Sequence, residues 1–356
     1  MIGKSRASYV LFFAIKLNLL TRLVSTMSGA FTCTYFIHPD QMQVDLPANV
    51  DDDALDSDGF YSRPSSVLTD ESTGTLRIGL ASVYRAVVDT TNALGLEVHE
   101  LDYATVQMLD EKFVAYQDDL PYFAKMDAES LARSAVLDKQ RPYLVWARAG
   151  MHCAYHIRRM QIHRRWLVLG FSDTRFRRSR DICLESARTV VQVERQMYES
   201  TAAAAPKLTR HWAIIHHVLV ASLVLAMEYA RGNAAMRPEI IECCRSLERN
   251  SDSSSIAAKG LTQLQEVLKK WAMNGQQRGG GAAEVQAVDD GRAMADGVSL
   301  EAPEASWASM PNTAAAGELP EADTMLGDMF NEMWFDSLNF PTGLEQGEWD
   351  ALFQEL

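Results

Sequence analysis

The sequence predicts an all-α protein: an irregular multi-helix domain, a disordered linker and an acidic amphipathic C-terminal tail. Three observations carry this. Apolar residues recur at spacings of three and four from about residue 71 to 272, and no segment sustains the period of two that marks a strand. Helix start and stop signals punctuate that pattern. After Asn274 and Gly275 the composition shifts to Ala, Gly, Asp and Glu, which lack the apolar density needed to offset chain entropy.

Residues 1–30 form an uncertain N-terminal segment. They imitate a signal peptide, with Lys4 and Arg6 ahead of an apolar run from Tyr9 to Ile15. Lys16 cuts that run short and no small-residue cleavage site ends it. A buried helix or a wrongly placed start is favoured over a secretory signal. The helical domain is placed at 31–275. Its first part, to residue 70, is irregular, broken by Pro39, Pro47 and Pro64 and by the acidic turn around Asp51, Asp52, Asp53, Asp56 and Asp58. Asp70, Ser72 or Thr73 is expected to cap a helix through Ile78, Val83, Val87 and Val88, broken at Gly95. A second helix starts near residue 103 with Val106, Leu109, Phe113 and Tyr116 on one face, and Pro121 ends it.

A long helix follows over 140–169, starting near Pro142. Asp173 and Ser179 are candidate caps for the next, which places Cys183, Ala187, Val190, Val191 and Met197 on one face. Ala202 to Pro206 reads as a linker. The run 212–230 has one formal charge, Glu228, and is long enough to span a bilayer. His216, His217, Ser222 and Glu228 are costly at mid-bilayer, so a helix buried in a bundle is favoured over a membrane span. Pro238 opens a helix through Ile241, Cys244 and Leu247, and Ser251 to Ser255 form a polar loop. The last core helix carries Leu261, Leu264, Leu268 and Trp271. Residues 276–320 are the linker and 321–356 the tail.

Charge divides the chain in the same way. The net charge is −13, yet residues 276–356 hold 16 acids and two arginines, a net of −14, which leaves the rest near neutrality at +1. Such asymmetry marks an interaction tail. Five scattered cysteines, Cys33, Cys153, Cys183, Cys243 and Cys244, do not make a disulfide framework and suit a reducing compartment.

Signals for catalysis or metal binding fail one by one. His152, Cys153 and His156 lie within a helical turn, but a zincin needs Glu after the first His, and no second ligand pair completes a structural zinc site. Cys243 and Cys244 are adjacent, so they form neither a zinc knuckle nor a redox motif. The acidic run at 51–58 lacks the first and twelfth ligands of a calcium loop. No G-x-S-x-G or P-loop occurs, and no enzyme is expected. The stretch 156–180 contains eight arginines and one acid, Asp173. It reads either as phosphate-contacting or, favoured on the body's near-neutral charge, as structural arginines paired with body acids.

The tail is the most informative segment. Met325, Leu326, Met329, Phe330, Met333, Trp334, Phe335 and Leu338 interleave with Asp323, Asp328, Glu332 and Asp336, and Trp349, Leu352, Phe353 and Leu356 follow at helical spacing. Acids keep bulky apolar side chains solvated and steer them toward basic-rimmed grooves, the pattern of activation segments that fold on a partner. Met329, Phe330, Met333, Trp334, Phe335, Leu338, Trp349, Leu352 and Phe353 are the candidate partner-binding residues. The competing reading is a terminal helix docked on its own body.

Five segments in order then resemble the middle homology region of fungal zinc-cluster transcription factors, the fungal-specific transcription factor domain. They are VDLPANVDDDALD, LDYATVQMLDEKFVAYQDDLPYF, RPYLVWARAGMHCAYHIRRMQIHRRWLV with DTRFRRSRDICLESARTVV, HWAIIHHVLVASLVLAME, and the helix from Lys259 to Leu268. His163, Arg164, Ser179, Arg180 and Cys183 carry the most specific match, and the resemblance covers about 31–272. It implies nuclear control of RNA polymerase II genes, a co-activator or mediator as partner of the tail, a homodimer, and DNA binding through an N-terminal six-cysteine zinc cluster. One cysteine precedes residue 153, so zinc is expected only in a cluster missing from this chain, a 5′-truncated gene model is the explanation offered, and DNA contact would need that cluster or a partner. The alternative is a membrane-associated helical protein using 9–21 and 212–230.

Overall fold

A single long helix with apolar residues on two faces organises the chain. The computed structural model describes residues 45–54, 61–201, 212–231, 233–252 and 254–278, and among them there are eight α-helices and no strand. They are α1 (Ser72–Leu94), α2 (Tyr103–Asp118), α3 (Ala128–Gln140), α4 (Tyr143–Leu169), α5 (Arg177–Thr201), α6 (Trp212–Ala230), α7 (Arg237–Ser251) and α8 (Ser255–Arg278). Single 3-10 turns at Val98–Glu100, Tyr122–Ala124, Thr174–Phe176 and Ala234–Met236 join several of them.

At 27 residues, α4 is about 40 Å long. One face sends Cys153, Ile157, Met160 and Leu167 into a core shared with α5, α6, α7 and α8. The other sends Leu144, Met151, Tyr155, Ile162 and Trp166 into a second core with α1, α2 and the turns around Val98 and Phe123. The two-sided apolar pattern is why this helix can be located from sequence but not assigned a solvent face. On α5 the expected stripe is buried: Cys183, Ala187, Val190, Val191 and Met197. Buried Glu194 on the same face is pushed up by burial and held by Arg249 of α7 at 3.1 Å.

Helix α6 is apolar on every side and is packed among α4, α5, α7 and α8, with Val218, Val220, Ala221, Val224, Leu225 and Ala226 fully buried. Each such Val or Leu contributes about 1.5–3 kcal/mol by leaving water. Two of its polar residues find partners inside the body: Ser222 donates to the Val218 carbonyl at 2.7 Å, and Glu228 pairs with Arg180 at 2.6 Å. No helix among the described residues is long and apolar enough to cross a membrane.

Several expectations need correction. Helix α1 starts at Ser72 with no side-chain cap; Ser72 and Thr69 instead bond Asn49, while Asp70 binds Arg141 at 2.6 Å. Ser179 is not a cap but lies buried inside α5, whereas Asp173 caps the turn before it by accepting from the Arg175 amide. On α7 the buried face is Ile240, Cys243, Cys244 and Leu247, and Ile241 is only partly covered. Helix α3 is not anticipated by the sequence pattern. Its only fully buried residues are Ser130 and Ser134, so it has no apolar stripe to detect, although Asp127 caps it through the Ser130 amide. Leu264 and Leu268 of α8 are buried as expected, and the helix runs to Arg278, past the anticipated end at 275. The expectations for residues 1–30, 56–58, 202–206, the Trp271 side chain and 279–320 lie outside what the structure describes.

The irregular segment ahead of α1 is held by side chains. Asn49 Nδ2 donates to the carbonyls of Arg63, Pro64 and Val67, and Asp51 binds Arg63 at 3.0 Å and Arg141 at 2.8 Å. One backbone bond, from the Arg63 amide to the Asn49 carbonyl at 2.9 Å, joins the two halves of this strap, and the side chains tie it to α1 and to the start of α4.

Candidate functional site

Two of the residues that carry the family match, His163 and Ser179, meet where α2, α4 and α5 come together. His163 Nδ1 shares a 2.8 Å hydrogen bond with Ser179 Oγ across the antiparallel α4–α5 pair. One heptad earlier on α4 and one later on α5, His156 Nδ1 and Ser186 Oγ repeat the contact at 3.2 Å. These two rungs set the register of the helix pair, because a slip of one residue would break both. Sequence reasoning missed the second rung, where a seven-residue spacing of His on one helix and Ser on the next was the available signal. His152, on the same helix, bonds the Ala124 carbonyl at 2.8 Å. Burial pushes His156 down to about 3 and lowers His152 too, so both are neutral core histidines.

Asp110 of α2 completes the cluster. Arg159 grips it through two hydrogen bonds of 2.6 and 3.0 Å, and His163 Nε2 lies 3.2 Å away, at ion-pair distance but off the line of a hydrogen bond. Burial alone would push the Asp110 carboxyl up; the adjacent His163 and Arg159 outweigh it and hold the group well below the usual carboxylate range. Carboxylate, imidazole and hydroxyl thus stand in the order of a nucleophilic triad. Their burial removes that function: Asp110 and His163 are 1% exposed and Ser179 is 0% exposed, so no substrate reaches the hydroxyl. The cluster is a structural joint that ties α2 to the α4–α5 pair.

Of the other family-matched residues, Arg164 is buried beside Tyr84 and burial lowers it to about 10. Arg180 forms a two-bond pair with Glu228, and Cys183 lies in the core against the Met160 carbonyl. The eight arginines divide by burial, and Arg159, Arg175, Arg177, Arg178 and Arg180 pair with acids while Arg165 donates to the His99 carbonyl, in keeping with the favoured structural reading. Arg158, Arg159, Arg164 and Arg180 turn into the body, Arg158 facing the Tyr84 ring at 5.4 Å. Arg165, Arg175, Arg177 and Arg178 stay at the surface. The nine candidate partner-binding residues, Met329, Phe330, Met333, Trp334, Phe335, Leu338, Trp349, Leu352 and Phe353, lie outside the described residues.

Among the described residues, no three of His, Cys, Asp and Glu gather to hold a metal ion. Cys153, Cys183, Cys243 and Cys244 are buried at core positions, and with five cysteines in all the chain does not fit a six-cysteine cluster.

The described residues form an all-helical scaffold whose Asp110–His163–Ser179 cluster is buried. Comparison with known proteins places it further. The chain is 27% identical to the probable transcription factor lepB of Aspergillus flavus, over 94% of this chain and 59% of that protein. It is 31% identical to the agnestins biosynthesis cluster transcription factor AgnL11 of Paecilomyces divaricatus, over 69% of this chain and 35% of that protein. With transcription factor TAS2 of Pyricularia oryzae the identity is 25%, over 69% and 37%. The chain is thus homologous to fungal transcription factors, as its sequence motifs imply, and those relatives are not enzymes. It spans only about a third to three-fifths of their length. No family model and no solved structure matches it.

Proposed function

We propose that this chain supplies the regulatory and activation region of a fungal transcription regulator acting on RNA polymerase II genes in the nucleus. The single observation that carries the reading is its similarity, over most of its length, to three proteins named as transcription factors. In this reading the helical body is the regulatory scaffold. The segment 321–356, with nine acids and no basic residue, is the contact for a co-activator or mediator subunit. DNA is reached through a zinc cluster outside these residues or through a partner, and the body pairs with a second copy of itself. The name of one relative ties that protein to a biosynthesis cluster. Genes neighbouring this one are therefore the first targets to examine. The membrane reading is not favoured, since α6 is enclosed by helices of its own body.

The test is a reporter assay with residues 321–356 fused to a heterologous DNA-binding domain. Activation is expected, and Trp334→Ala, Phe335→Ala and Phe353→Ala together should abolish it. A silent fusion would refute the activation role.

A further inference from the structure

The strap ahead of α1 contains a serine that the fold leaves idle. Its neighbours are engaged in structure: Ser62 Oγ accepts from the Asn49 amide, and Thr69 and Ser72 are buried and bonded to Asn49. Ser66 is exposed, belongs to no helix and makes no hydrogen bond through its hydroxyl among the described residues. It sits in a turn closed by the Val67 amide and the Pro64 carbonyl at 3.0 Å. Three positions earlier stands Arg63, its side chain 48% exposed, and one position later stands Val67, 40% exposed. Among the described residues, no other serine or threonine has an arginine three positions ahead of it.

We propose that Ser66 is a phosphorylation site for an arginine-directed serine kinase, and that its phosphate draws Arg63 away from Asp51 and loosens the strap. Recognition follows from the side chains that flank the hydroxyl. The Arg63 guanidinium suits an acidic kinase groove and Val67 an apolar pocket beside it, the pattern of charge and shape by which kinases choose among serines. A kinase takes its acceptor extended, so the turn at 64–67 must open, which breaks one backbone bond on the surface. Arg63 can leave Asp51 without stranding it, because Arg141 holds the same carboxylate at 2.8 Å. The Ser66 Oγ attacks the γ-phosphorus of ATP. The new Oγ–P bond replaces the bond to the β–γ bridging oxygen, ADP departs, and the hydroxyl proton passes to the catalytic aspartate of the kinase. The product carries about 1.5–2 negative charges and three acceptor oxygens. Three residues of chain place it at most about 11 Å from Arg63, within reach of that flexible side chain. Arg141 is held by both Asp51 and Asp70, whereas Arg63 has Asp51 alone at 3.0 Å, so Arg63 is the cation that moves.

The test treats the native full chain with ATP, magnesium and the catalytic subunit of cyclic-AMP-dependent protein kinase, with mass spectrometry locating the phosphate. Ser66 should be labelled, and Ser66→Ala should remove that label. Arg63→Ala should slow labelling of Ser66 about tenfold, although it also loosens the strap. Labelling that rises in Arg63→Ala would show that the arginine only shelters the serine, and would overturn the proposal. Labelling of Ser65 in place of Ser66, or of Ser66 only in urea-unfolded chain, would overturn it as well. In the phosphorylated protein the amides of Asn49 and Arg63, which bond Ser62 Oγ and the Asn49 carbonyl, should exchange hydrogen about threefold faster, and unphosphorylated Arg63→Ala should match that rise. Exchange unchanged by the phosphate would refute the transfer of Arg63.

Discussion

Replacing Asp110 with alanine tests whether the buried joint between α2, α4 and α5 holds the body together. The carboxylate is 1% exposed and accepts two hydrogen bonds from Arg159, whose side chain is itself only 14% exposed. Removing it strands a buried guanidinium and leaves His163 facing an empty site. Breaking a buried pair from one side costs about 3–5 kcal/mol. With a urea slope of about 3 kcal/mol per molar, the unfolding midpoint of Asp110→Ala should fall by about 1–1.7 M. The assay is equilibrium urea unfolding followed by far-ultraviolet circular dichroism. Asp173→Ala, which breaks the exposed pair with Arg175 and the cap of the short turn before α5, is the control and should move the midpoint by only about 0.2–0.7 M. The double variant Asp110→Leu with Arg159→Met should recover much of the loss, because it removes both charges at once. The pH dependence has a definite sign. Asp110 is held below its unfolded value near 4, so its stabilisation is complete above that pH and drains away as pH falls below it. An Asp110→Ala midpoint equal to that of Asp173→Ala would refute the argument that this cluster is a structural joint.

His156 makes acid unfolding begin earlier than carboxylates alone would. It stays neutral in the fold to about pH 3 but protonates near 6.5 when unfolded, so stability should fall by about 2 kcal/mol between pH 6.5 and 5, and His156→Gln should flatten that slope in urea titrations at the two pH values. Gly170→Ala should destabilise by about 1–3 kcal/mol, because a Cβ there would meet the Phe176 carbonyl oxygen at 2.6 Å. Gly150→Ala, inside α4 with nothing within 4 Å of the added carbon, should stabilise by about 0.5–1 kcal/mol; thermal melts of the two variants should move in opposite directions. Burial pushes the Cys153 and Cys243 thiols up to about 12 and raises Cys183 and Cys244 as well, so all four should resist iodoacetamide in the native protein and react once it is unfolded, as read by mass spectrometry.

Helices with an apolar stripe are legible from sequence, and α2, α4, α5 and α6 fall within a few residues of their expected positions. What escapes such a reading is whatever does not depend on apolar period. Helix α3 is fastened by Arg148, whose guanidinium bridges Asp138 and the Phe123 carbonyl, and by Arg133 stacked 3.8 Å over Tyr122. Neither contact leaves a periodic trace. The partners of the basic stretch are equally hidden. Asp110 and Arg159 are 49 residues apart, and Arg180 and Glu228 are 48 apart, so local pattern cannot pair them. His163, Ser179 and Arg180 stand out by family motif, and only the fold explains why that motif needs a histidine opposite a serine.

The enclosure of α6 has a consequence for synthesis of the chain. Two of the helices that cover it, α7 and α8, come after it in sequence, and the last of their residues, Arg278, follows Ala230 by 48 positions. At 5–20 residues per second, a ribosome takes about 2–10 s to supply that cover. During this interval a 19-residue apolar rod stands partly bare, a ready substrate for chaperones and for self-association. A stop codon or splice error between 231 and 264 would make the exposure permanent, before Leu264 and Leu268 are added. Such products should be cleared rather than accumulate as shorter regulators, so any viable isoform of this protein must carry the chain through α8.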